Sequence, residues 1–152
     1  MSNTLRGMIA GFVATLAVGA LLLLNSTLDW WPQLDIIRLL STLGSISPAA
    51  AWMDHFIVGT VVWGLLFAIF DAVGLNHPHW LRGAVFGVFA WLLMMVLFMP
   101  AAGAGLFGTK IGLEAPLVML IMHLIYGVVL GATYGLLVVW APAKDSKASP
   151  HV

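Results

Sequence analysis

The chain has 152 residues, 62% of them apolar and only 8% charged, with six Lys and Arg balanced by six Asp and Glu. An ordinary soluble domain carries about a quarter charged residues, so this composition cannot coat a water-soluble globule and reads as an integral protein of the lipid bilayer. The charge balance leaves no basic stripe for a phosphate backbone, which excludes nucleic acid as a partner. The lack of cysteine excludes disulfides, thiolate metal sites and cysteine nucleophiles.

The first apolar run, residues 5–24, carries no charge after Arg6 and matches the ~20 residues needed to cross a ~30 Å hydrocarbon core. A cleavable signal peptide has an apolar region of roughly 7–15 residues and then a small-residue cleavage site. Here the run continues through Leu21, Leu22, Leu23 and Leu24 into Asn25 and Ser26, so it is expected to be retained. Between this span and the next, Pro32 to Ser45 is neither apolar enough to cross nor polar enough for a free loop. On a helical wheel Ile36, Ile37, Leu39, Leu40 and Leu43 share one arc, Asp35, Arg38, Ser41, Thr42 and Ser45 share the other, and Leu34 falls off the stripe. That pattern predicts an amphipathic interfacial helix, either a lid over the outer face or a surface helix filling a loop.

Further spans are predicted at about 51–73, 82–99 and 116–140, which makes residues 1–141 a single transmembrane domain. The tail 142–152, rich in Ala, Lys, Ser and Pro, is expected to be disordered. Four crossings leave both termini on one side. Arg6, Arg82, Lys144 and Lys147 lie on that side against Arg38 and Lys110 on the other, and the positive-inside rule then places the termini in the cytoplasm. Trp30, Trp31, Trp80 and Trp140 fall at span ends, where an indole buries its ring and keeps its N–H wet. Between the third and fourth spans, Met99 to Gly108 is rich in Gly and Ala. Pro100 is expected to end the third helix, with 101–108 either a tight return or a broken, re-entrant segment. Lys110 and Glu114 form a charged lip beside it.

The spans repeat. The first opens Arg6-Gly7-Met8-Ile9-Ala10-Gly11 and the third Arg82-Gly83-Ala84-Val85-Phe86-Gly87; His55 precedes Gly59 in the second as His123 precedes Gly127 in the fourth. The expected architecture is an all-α, four-helix membrane bundle of two parallel helical hairpins. Gly7 with Gly11, Gly83 with Gly87, and Gly127 with Gly131 and Gly135 place small residues on single helix faces, where backbones can approach closely. These faces suit packing within the chain, or a contact between copies through the longest of them, in the fourth span.

His55 and His123 enter their helices from the same side at similar depth, an arrangement open to cofactor binding as axial ligands of a b-type haem or part of a metal site. Gly59 and Gly127, one turn further, would leave room for a porphyrin edge. The other reading is two separately satisfied core histidines. Asp54 reads as a boundary charge, Asp71 as a partner for Arg6 or Arg82, and His77 and His79 as solvated loop histidines. No Ser/His/Asp set, H-E-x-x-H or close carboxylate pair appears, so no enzyme activity is expected.

The strings R-G-M-I-A-G-F-V-A-T at 6 to 15, P-Q-L-D-I-I at 32 to 37, H-F-I-V-G-T at 55 to 60, M-P-A-A-G-A-G-L-F-G at 99 to 108 and H-L-I-Y-G-V-V-L-G at 123 to 131 resemble a family of small bacterial four-helix inner-membrane proteins of unknown function. The resemblance covers nearly the whole chain. It implies a multi-pass inner-membrane protein and supplies no catalytic residues. Three functions stay open: a non-enzymatic accessory or assembly partner of a larger membrane complex, with other membrane subunits or itself as partner; a haem- or metal-binding redox protein using His55 and His123; and a small transporter or channel.

Overall fold

The computed structural model describes residues 1–31, 35–74 and 76–140, without the side chain of Leu43. Leu34 and the 142–152 tail lie outside the described residues. Among the described residues, five helices of two turns or more organise the chain: α1 (Asn3–Leu28), α2 (Ile36–Gly44), α3 (Pro48–Ala72), α4 (His79–Ala101) and α5 (Ala115–Val139). All but α2 are long and apolar enough to cross a membrane, which suggests a multi-pass membrane protein. Their lipid-type surface fits that architecture, since Ile69, Leu97 and Leu136 are each more than 60% exposed and would be costly in water.

Local signals set the helix ends. Ser2 caps α1 by accepting from the Leu5 N–H, and Asp29 closes it in the left-handed region at φ 54°. Asp35 caps α2 through the Arg38 N–H at 2.9 Å, and Ser47 caps α3 ahead of Pro48. A short polar side chain at each of these positions satisfies an N–H that the helix itself leaves unpaired. Pro100 does not end α4, which runs on to Ala101. A proline ring strikes the carbonyl four residues back, and α4 widens into a π turn at Met94–Phe98, around Val96. The chain then returns through Gly103, Gly105, Phe107 and Gly108, all at positive φ. It folds as a compact turn over Met95, Met99, Ala104, Ala115 and Met119.

Two glycine seams hold the bundle together. In the first, a Cβ added at Gly7 would fall within contact distance of the Gly64 carbonyl oxygen, and one at Gly11 would lie 2.8 Å from that of Gly59. In the second, Gly83 faces the Gly127 carbonyl and the Gly131 backbone, while Gly87 faces the His123 carbonyl. The hairpin pairs are therefore α1 with α3 and α4 with α5. Each glycine directs a Cα–H at a carbonyl of the facing helix, a contact worth about 0.5–1 kcal/mol in addition to dispersion. Gly131 and Gly135 pack on the backbone and side chain of His79. The whole Gly127–Gly131–Gly135 face is thus occupied by α4, which leaves no room there for a second copy of the chain.

The hairpins join along α1 and α5. Between α3 and α4, contact is concentrated near the terminal face, where Phe86 of α4 meets Trp63, Phe67 and Phe70 of α3 at ring centroid distances of 5.9, 5.4 and 5.7 Å. The α3–α4 turn is clasped by Asp71, which is 8% exposed. Its Oδ1 accepts from Arg82 Nη1 at 2.9 Å and lies 2.8 Å from His79 Nδ1. Arg82 is thus the partner of Asp71, while Arg6 bonds Asn3 instead. His79 is not a solvated loop residue: it opens α4 and lies against Tyr134 at 5.6 Å. It escapes a reading as loop because Pro78, extended at ψ 149°, forms the cap before it.

Gly131→Ile tests the second seam. Its Cβ would meet the His79 carbonyl and Gly83 Cα, so the variant should lose about 1–3 kcal/mol of stability in detergent through overpacking. Ala132→Ile, one residue on and exposed, should change the melting temperature little. Equal effects from the two would mean that the glycine face is not a seam.

Candidate functional site

Because α3 and α4 are clasped at one end, they part towards the other. The gap is a cavity of ≈ 490 Å³ in the half of the bundle away from the termini, within the ~300–1,000 Å³ of small-molecule sites. Its walls come from all four spans, and Ile36, Leu39 and Leu40 of α2 roof it. The amphipathic helix thus turns its apolar arc onto the bundle, with Ile37 buried and Arg38 and Thr42 exposed. Val58, Val62, Leu97 and Phe98 line the cavity and also have more than 40% of their surface exposed, so the mouth opens sideways between α3 and α4.

Both walls at the mouth are wide turns. Alongside Met94–Phe98 in α4, α3 carries a π turn at Val58–Trp63. Such turns recur at functional sites. The carbonyl of Gly59, inside the α3 turn, receives the Tyr126 hydroxyl of α5 at 2.6 Å, a buried bond between the two hairpins. Thr15 of α1 stands over the same glycine: its hydroxyl donates to the Gly11 carbonyl at 2.7 Å, and a Cβ on Gly59 would collide with it. Gly59 is consequently the point where α1, α3 and α5 converge. Its role was invisible in the sequence because its partners lie 44 and 67 residues away.

His55 and His123 both line this cavity, about 10–12 Å along their helices from the same end at 1.5 Å per residue. Their rings are held by different neighbours. The Nε2 atom of His55 is buried without a hydrogen-bond partner and lies 4.0 Å from where a Gly19 Cβ would stand, so it is turned onto α1. Trp52 and Phe56 flank the ring edge to face at 5.8 Å. The space that Gly59 and Gly127 would offer a porphyrin edge is filled by Thr15 and by the Gly83 backbone. A bis-His haem, with both imidazoles on one iron and a porphyrin slot between helices, does not fit. His123 is held differently, its Nδ1 lying 2.8 Å from the Met119 carbonyl. The remaining polar lining is sparse: Asn25, which chelates the Trp31 backbone through both amide atoms, and the exposed Asp54. Among the described residues, no three His, Asp or Glu side chains gather as a metal site.

A family model described as a family of unknown function, DUF6789, matches residues 1–142, and the chain belongs to that family. No curated protein and no solved structure matches it.

Tyr126→Phe tests the link between hairpins. Removing the hydroxyl takes the side-chain donor from the buried Gly59 carbonyl, and stability should fall by about 0.5–1.5 kcal/mol, read from the unfolding midpoint in detergent. An unchanged midpoint would mean that the bond carries no load.

Proposed function

We propose that the chain is a multi-pass protein of a bacterial inner membrane, with both termini in the cytoplasm. It performs no chemistry of its own and serves as an accessory subunit that binds an apolar ligand from the bilayer in the cavity between α3 and α4. The observation that carries this reading is the cavity itself: it is lined almost wholly by apolar side chains, roofed by α2, and open sideways where a lipid-dissolved molecule would enter. The glycine seams that made helix docking attractive are already used inside the chain, so accessory function rests on the cavity and not on those faces. The like placement of the two seams supports descent of the hairpins from a parallel duplication. The orientation is supported by the bias of Lys and Arg towards the terminal side.

Two measurements test this. A green fluorescent protein fused after Val152 should fluoresce and an alkaline phosphatase fused there should be inactive; the opposite pair would reverse the orientation. Organic extracts of the protein purified in mild detergent should contain a retained apolar compound by mass spectrometry. It should be depleted from Val62→Phe, which adds bulk at the cavity mouth, and identical extracts from both proteins would contradict the binding reading.

A further inference from the structure

The bonding of His123 narrows the ligand further, on the basis of the cavity reading above. A carbonyl oxygen can only accept, so the 2.8 Å contact to Met119 fixes the ring proton on Nδ1. In the neutral ring Nε2 is then a bare lone pair. No described residue bonds it, and His123 borders the cavity. A hydrogen-bond acceptor facing an apolar chamber is costly until a donor reaches it. Of the other polar groups there, Tyr126 bonds Gly59, Thr15 bonds Gly11 and Asn25 bonds Trp31, Asp54 is exposed, and the unpartnered Nε2 of His55 is turned onto α1. The chamber around it is soft, with Met94, Met119, Met122, Trp63 and Phe98 in its walls. Thioethers make favourable contacts with aromatic rings and adapt to their outline, and aromatic walls add edge-to-face contacts.

We infer that the cavity takes a bilayer-soluble aromatic alcohol, a phenol or hydroquinone, whose hydroxyl donates to His123 Nε2 while its ring packs among the methionines. A saturated acyl chain would fill the apolar volume and leave that lone pair unmet. A metal porphyrin would meet the lone pair, but it lacks the second ligand and the slot described above.

The test uses the full chain in detergent micelles, with histidine ring nitrogens labelled with 15N and methionine methyls with 13C. The probes are 2,3,5-trimethylphenol and its methyl ether, alike in shape except for the donor. Both should shift the Met94 and Met122 methyl signals saturably, the phenol about tenfold more tightly, and only the phenol should move the His123 Nε2 resonance. In His123→Phe the phenol should fall to the affinity of the ether. His123→Gln, which keeps an acceptor, should retain part of the preference, and the comparison of probes on the unaltered chain needs no variant to fold. Equal binding of the two probes would overturn the ligand class and leave the cavity reading standing. Failure of both to move the methionine signals would overturn both readings. A saturable Soret band on adding haem, abolished in His123→Phe, would overturn the phenol assignment in favour of a porphyrin.

Discussion

Backbone contact between glycines of facing helices is the constraint from which this architecture follows. Lipid tails are as apolar as leucine, so helices in a bilayer gain little from hiding apolar side chains against one another; close approach, dispersion and polar contacts must do that work. Here Gly7 and Gly11 bring α1 onto α3, and Gly83 and Gly87 bring α4 onto α5. Once these pairs are fixed, α1 and α5 form the junction between hairpins, and α3 and α4 are left on the far side with only their aromatic contacts and the Asp71 clasp to join them. Bulky rings close the gap near Phe86. Beyond them nothing of like size fills it, and the cavity results.

The polar groups of the bundle divide accordingly. At the terminal face Asp71 satisfies two donors, so a buried carboxylate is compensated by an arginine and an imidazole. In the other half, the Tyr126 hydroxyl and Thr15 converge on Gly59, and the sharing of one glycine among three helices fixes the back wall of the cavity. Between α3 and α4 the described residues of this half form no such cross-link. The two π turns lie in the two helices that flank this opening.

Much of this was legible in the sequence. Hydropathy located the four spans, and the R-G-x-x-x-G strings marked the seam faces because glycine at a spacing of four leaves a groove whatever lies opposite. The alternation of Ile36, Ile37, Leu39 and Leu40 with Asp35 and Arg38 announced α2, and the depth of Asp71 left Arg6 and Arg82 as its candidate partners, of which Arg82 makes the bond. What stayed hidden depends on contacts distant in sequence. Tyr126 gives no sign that its hydroxyl reaches a carbonyl 67 residues earlier. His55 and His123 share a cavity, yet which way each ring nitrogen turns depends on Gly19 and on Met119. The wide turn in α4 had a signal in Pro100, whereas that in α3 had none in residue type alone.

The central claim is that α3 and α4 stand apart in the half of the bundle roofed by α2. It is tested most directly by nuclear Overhauser contacts of the Val62, Met94 and Met122 methyl groups in a nanodisc with protonated acyl chains and an otherwise deuterated protein. The open arrangement predicts cross-peaks from all three methyl-bearing residues to a lipid chain or bound ligand. Cross-peaks from Val62 to Met94 and Met122 with none to any acyl chain or ligand would show the two helices closed on each other, and the cavity would not exist.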